Sequence, residues 1–159
     1  MKWFSLLVAF IVILVAWYFI AGNGSDRAPD GTTSVTTKGE QGEVTVTNTD
    51  IAQNGVSRLP VGFPKGIPVE VPNITESYRV AFNSRGITQY SVSYTSVKTK
   101  DALWDLYSAF MKSSGYDIDK GSSKSLGQIS GTKNNDSLSI VISSNSSVSM
   151  VQLSLLDRE

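Results

Sequence analysis

Residues 77–115 read SYRVAFNSRGITQYSVSYTSVKTKDALWDLYSAFMKSSG, and this stretch decides the fold. Tyr78, Val80 and Phe82 alternate with polar neighbours in residues 77–83. Tyr90, Val92 and Tyr94 alternate with Gln89, Ser91 and Ser93 in residues 87–97. A period of two with β-branched and aromatic residues predicts strands, and Asn83-Ser84-Arg85-Gly86 between them predicts a hairpin turn whose glycine supplies a positive φ. The period then changes. Ala102, Leu103, Leu106, Tyr107, Phe110 and Met111 recur at helical spacing across residues 99–114. Thr99 stands where an N-cap belongs, Asp101 lies in the first turn where the helix dipole favours an acid, and Gly115 is placed to end the helix.

Downstream the period of two returns. Residues 116–119 form a short strand, and residues 125–132 carry Leu126 and Ile129. Leu138, Ile140 and Ile142 alternate, followed by Val148 and Met150 in register with Gln152, then Leu153 and Leu155. Asn134-Asn135-Asp136 and Asn145-Ser146 are turn clusters. The predicted fold class is α+β: an antiparallel sheet with one helix packed on a face, in the order β-β-α-β-β-β-β, preceded by an N-terminal transmembrane helix.

Upstream, residues 62–72 (GFPKGIPVEVP) hold prolines at 64, 68 and 72, which keep the chain extended. The segment reads as a clamp over the core edge, with Phe63, Ile67 and Val69 as buried candidates. The proline spacing does not supply the P-x-x-P ligand pattern. Residues 23–59 are dominated by Gly, Ser, Thr, Asn and Asp and read as a flexible polar linker, which buries too little surface to offset its ordering entropy. Residues 43–47 (EVTVT) are the one stretch there with strand character.

The N-terminal residues 3–21, WFSLLVAFIVILVAWYFIA, contain no charge, Gly or Pro. At ~1.5 Å per residue they reach about 28 Å, near the ~30 Å hydrocarbon core, with aromatics at both ends. They predict a transmembrane anchor over residues 1–22, and residues 60–159 a single extracytoplasmic domain. A cleaved signal peptide fits less well: the apolar run exceeds the ~7–15 residues of such segments, and Phe19 is too bulky for a small-x-small site ending at Ala21. Arg27 after the span nearly cancels Lys2 before it, and an N-terminal side of only two residues predicts a cytoplasmic N-terminus and a single-pass cell-membrane protein.

Composition excludes several chemistries. The chain has 159 residues, 14 basic and 14 acidic, with no Cys and no His. No basic cluster exists to neutralise phosphates, so no nucleic acid is expected as a partner. Disulfides, thiolate nucleophiles and His-dependent catalysis or zinc ligation are absent by composition. Asp117-Ile118-Asp119-Lys120-Gly121 resembles a calcium loop only superficially, since Ser122 and Gln128 stand where Gly and Glu are needed. Gly22-Asn23-Gly24 lacks the third glycine of a dinucleotide fingerprint. No acids occupy confident inward positions for a carboxylate-pair glycosidase. No catalytic, cofactor-binding or metal-ligating residue is assigned, no cofactor is expected, and the chain reads as a non-enzyme.

At residues 59–71 (LPVGFPKGIPVEV), residues 90–96 (YSVSYTS) and residues 103–116 (LWDLYSAFMKSSGY), the chain resembles a loose bacterial family of small extracytoplasmic domains on lipoprotein or single-span anchors. Those domains open with an F-P-x-x-I-P phrase, here Phe63 to Pro68, and end their helix with a Gly-aromatic pair, here Gly115-Tyr116. The resemblance spans residues 59–157. It implies a similar fold and export, and no activity.

Two functions follow as expectations. The first is a membrane-anchored, non-enzymatic interaction module, in contact with the bilayer through residues 3–21 and with an unknown protein or envelope polymer. The alternative is a binding or sensing domain for a small ligand or cell-wall polymer. Tyr90, Tyr94 and Tyr107 are the candidate contacts in that alternative, although core or sheet-face positions explain their spacing more simply.

Overall fold

The computed structural model describes residues 32–39, 42–49, 59–119, 121–145 and 147–158. The strands are β1 (Thr32–Gly39), β2 (Gly42–Thr49), β3 (Ile74–Phe82) and β4 (Ile87–Ser96), then β5 (Asp117–Ile118), β6 (Gln128–Lys133), β7 (Asp136–Asn145) and β8 (Val148–Arg158). The helix α1 (Lys100–Ser113) stands between β4 and β5. All eight strands form one antiparallel sheet in the order β1-β2-β3-β4-β8-β7-β6-β5. The first four strands form a meander. α1 then carries the chain to the far edge, and β5 to β8 return to the centre, where β8 closes against β4.

The helix lies over β5, β6 and β7. Thr99 caps it by accepting from the Ala102 amide at 3.2 Å, satisfying one of the free donors of the first turn. Its buried residues are Leu103, Tyr107 and Met111, one every four positions. They meet Ile129, Leu138, Ile140, Ile142, Val151, Leu153 and Leu155 of the sheet. Burying each large apolar side chain of this kind contributes about 1.5–3 kcal/mol. The helix face is turned from the expected phase: Leu106 is exposed at 39%, and Phe110 is partly buried against the core edge.

Two further expectations are corrected. Residues 23–59 were expected to be a linker, but β1 and β2 lie within them and form a hairpin continuous with the sheet. The order is therefore β-β-β-β-α-β-β-β-β. The physical reason is cross-strand pairing. Val46 stands opposite Val80 and Val44 opposite Phe82, while Ser34 bonds Thr47 and Thr36 bonds Thr45 across the β1–β2 pair, each at 3.0 Å. A polar strand that cannot bury a core of its own is held by ladder and hydroxyl bonds to a strand that can.

The expected anchor, residues 3–21, lies outside the described residues. Among the described residues no helix is long and apolar enough to cross a membrane. α1 has 14 residues and carries Lys100, Asp101, Asp105 and Lys112; at ~1.5 Å per residue it reaches about 21 Å, short of a hydrocarbon core. The described fold is mostly sheet with one 14-residue helix, so it does not support the expected transmembrane helix, single-pass topology, bilayer contact or extracytoplasmic placement, and these are not carried further.

Candidate functional site

Between α1 and the strand meander the sheet presents Tyr90, Val92 and Tyr94 of β4 to the core. Residues 59–70 cross this face as a strap. Ile67 is buried, and Leu59, Phe63 and Val69 pack against the core edge. Phe63 meets Tyr90 edge-on, with ring centroids 6.1 Å apart and planes at 88°, the arrangement that suits the ring quadrupoles. The strap reaches Tyr90 through Gly62, at φ 85°, where a Cβ would come within 2.9 Å of the Tyr90 hydroxyl oxygen. Only glycine satisfies both the backbone and the space.

Four residues farther along β4, at Tyr94, lies a chain of buried hydroxyls. Tyr107 of α1 donates to the Pro68 carbonyl oxygen at 2.7 Å, and its oxygen is 2.6 Å from that of Tyr94. A carbonyl can only accept, so Tyr107 spends its proton on Pro68 and Tyr94 donates to Tyr107. Burial pushes both phenols above their ordinary range, so both are neutral donors at physiological pH. Farther along the strap, Glu70 accepts from Lys98 and, at 2.8 Å, from the Ser96 hydroxyl, and Asn73 donates to its other oxygen at 3.1 Å. The Lys98 hydrogen bond holds the Glu70 carboxyl below its usual range, aided by Ser96 and Asn73 and opposed by burial.

The β3–β4 register decides which β3 residues share this face. Phe82 pairs with Ile87, so Arg79 stands opposite Tyr90 and Ser77 opposite Val92. Directly opposed residues in an antiparallel pair point to the same side. Ser77, Arg79 and Ala81 therefore share the core face, while Tyr78, Val80 and Phe82 share the other face with Val44 and Val46 of β2. Two of the core-facing atoms stand out. The Ser77 hydroxyl, on a residue only 2% exposed, and the Arg79 Nε are both buried without a hydrogen-bond partner among the described residues. Each such orphan costs about 1–3 kcal/mol, and more for a charged group.

The three tyrosines expected as contacts are all buried. The structure joins Tyr94 to Tyr107 and sets Tyr90 beside Phe63, next to the orphaned Arg79. Sequence reading missed Ser77 and Arg79 because it followed the apolar alternation of residues 77–83. Counting strand pairs outward from the turn, with Phe82 against Ile87, places Arg79 against Tyr90 and was the available signal. Glu70, Ser96 and Lys98 carried no periodic signal and come together only through the strap. No group of three or more carboxylates able to hold a metal ion occurs among the described residues.

Residues 74–149 match a family model described as START domain-like, a span of a little under half of the chain. It runs from the start of β3 into β8 and includes Ser77, Arg79, Tyr90, Tyr94 and Tyr107. No curated protein and no solved structure matched the chain.

Proposed function

We propose that this domain binds a small ligand, without transforming it, on the core-facing side of the sheet beside Ser77, Arg79 and Tyr90. The carrying observation is the pair of buried, unpartnered polar atoms, Ser77 Oγ and Arg79 Nε. Groups of this kind are retained against their cost where something other than the protein satisfies them. The match to a START domain-like model supports the reading, because domains of that description are generally binding domains. A small ligand is favoured over a macromolecular partner because Ser77 lies 2% exposed beneath the surface, out of reach of a docking face. Residues 59–70 are held by the Pro68–Tyr107 bond, the Phe63–Tyr90 contact, the Glu70 pairings and the packing of Leu59, Ile67 and Val69 on the core.

The test pairs stability with binding. Ser77→Ala removes an orphaned hydroxyl at little change in shape. It should leave the unliganded protein as stable as the parent or more so, while weakening saturable one-to-one binding of an amphiphile such as decanoate or decanol, followed by native mass spectrometry and calorimetry. A site under functional constraint trades stability for binding in this way. Failure of both amphiphiles to bind saturably would end the proposal.

A further inference from the structure

The sheet ends on two unequal edges. β5, at one end of the strand order, has two residues, and β1, at the other, has eight. The unpaired N–H and C=O groups of an exposed edge template pairing with another chain, so edges are usually blunted by shortness, a bulge, proline or charge. β5 is blunted by its length. β1 reads TTSVTTKG, contains no Pro, keeps one register with β2 from Thr32 to Gly39, and carries a single charge, Lys38. Among the described residues no strand lies on its outer side.

The register shows which backbone groups face outward. Opposed residues in an antiparallel pair alternate between those that exchange both backbone bonds and those that exchange none, and side chains come closer in the second kind. Ser34 with Thr47 and Thr36 with Thr45 meet hydroxyl to hydroxyl at 3.0 Å, which marks the second kind. The two-residue connection agrees. Gly39 and Gly42 close it as a bonded pair, and counting back by alternation leaves Lys38, Thr36 and Ser34 on unbonded pairs. Their N–H and C=O groups therefore point away from β2. Ser34, Thr36 and Lys38 are exposed on one face of the sheet, and Val35 is half-buried on the other.

β2 already shows which side chains suit this strand. It sets Glu43 opposite Lys38, Thr45 and Thr47 opposite Thr36 and Ser34, and Val46 opposite Val35. We propose that the outer edge of β1 takes an extended peptide segment of a partner protein as a further antiparallel strand with the same pattern. It would carry an acid for Lys38, hydroxyls for the Ser34 and Thr36 row, and a β-branched apolar residue beside Val35. The outward main-chain groups supply affinity and the alternate side chains supply specificity. A second copy of β1 fits less well, because β1 carries Lys38 and no acid to offer it. This edge stands apart from Ser77 and Arg79 and does not rest on the small-ligand reading.

The probe is a fluorescent peptide of the β2 sequence, GEVTVTNT, titrated into the full chain and followed by anisotropy. Saturable one-to-one binding is expected, and its absence overturns the proposal. Thr36→Pro removes an outward N–H at a position where an edge strand tolerates proline. It should weaken binding about tenfold or more with little change in melting temperature. A sharp fall in melting temperature would place that N–H in the ladder to β2 and overturn the edge assignment. Two N-methylated peptides test the same point without altering the protein. Methylating alternate amides blocks the donors along one side of the peptide strand and spares the other. One such peptide should lose binding and its complement keep it; the same result for both overturns strand addition. Replacing the peptide's glutamate with lysine should weaken binding, most strongly at low salt, and equal binding overturns the pairing with Lys38. Self-association of the full chain that Thr36→Pro abolishes would give the edge to a second copy and overturn the peptide assignment.

Discussion

The hydroxyl of Tyr107 stands 2.6 Å from that of Tyr94 and 2.7 Å from the carbonyl oxygen of Pro68, linking helix, sheet and strap through one proton-ordered chain. The order makes the two tyrosines unequal. Tyr107→Phe strands both the Pro68 carbonyl and the Tyr94 hydroxyl, and should cost about 2–3 kcal/mol, the penalty of unsatisfied buried polar groups. Tyr94→Phe removes one bond and leaves Tyr107 donating to Pro68, and should cost about 0.5–1.5 kcal/mol. Denaturant melts of the two variants check the order. A larger loss for Tyr94→Phe would mean that the proton runs the other way.

Glu70 ties the other end of the strap. Its Lys98 and Ser96 partners hold the carboxyl below the ordinary 4.5. A carboxyl depressed on folding contributes stability that is present above its unfolded pKa, near 4.5, and is lost as pH falls through the lower folded value. Lys98 is half exposed at 50%, so solvent screens the pair and the contribution is about 1 kcal/mol or less. The difference in midpoint between the parent and Glu70→Gln should be constant from pH 7 to about pH 5 and shrink below it. A difference that grows on acidification would contradict the pairing.

The sequence made some of this legible and hid the rest for physical reasons. The β3–β4 hairpin, the α1 N-cap at Thr99 and the alternating Leu138, Ile140, Ile142 row are local signals, carried by turn chemistry and period, and they correspond to observed elements. The strand at Thr32–Gly39 was invisible because its Ser and Thr side chains have no apolar period. It exists by pairing with β2, which pairs with β3. The site was hidden for a related reason. In β3 the apolar row Tyr78, Val80 and Phe82 faces away from the helix, so the apolar alternation does not mark the face that carries the core. The polar row with Ser77 and Arg79 faces inward. Tyr90, Tyr94 and Tyr107 were visible as candidate contacts, but the bond from Tyr107 to Pro68 depends on the path of the strap.

The phase of α1 is open to a direct comparison. Leu103 is fully buried, and Leu106, three residues on, is 39% exposed. Leu103→Ala should cost about 2–5 kcal/mol, the transfer and cavity loss for a packed leucine, whereas Leu106→Ala should cost about 1 kcal/mol or less. Phe110, partly buried with its ring 6.3 Å from that of Tyr116, should fall between them. Equal losses at 103 and 106 would rotate the helix back toward the phase that the sequence implies.

The β1–β2 hairpin gives the sharpest test of the corrected architecture. β2 lies along β3 with Val46 opposite Val80 and Val44 opposite Phe82, and Asn83 donates to Glu43 at 2.8 Å. Val80 is 1% exposed although it faces away from the main core cluster. A chain beginning at Leu59 would lack β2, and β3 would become a sheet edge with Tyr78, Val80 and Phe82 newly uncovered on one side. Fully burying one such side chain is worth about 1.5–3 kcal/mol, so partial exposure of three should lower stability by about 3 kcal/mol or more. An unpaired edge beside an apolar row also invites pairing between copies, so the shortened chain should associate as its concentration rises. The comparison is a chain beginning at Thr32 against one beginning at Leu59, read by denaturant melts and by sedimentation over a concentration series. A linker would contribute nothing, and the two chains would melt together as monomers. A strand that completes the sheet separates them in both measurements, because its removal takes away ladder bonds and apolar cover at the same place.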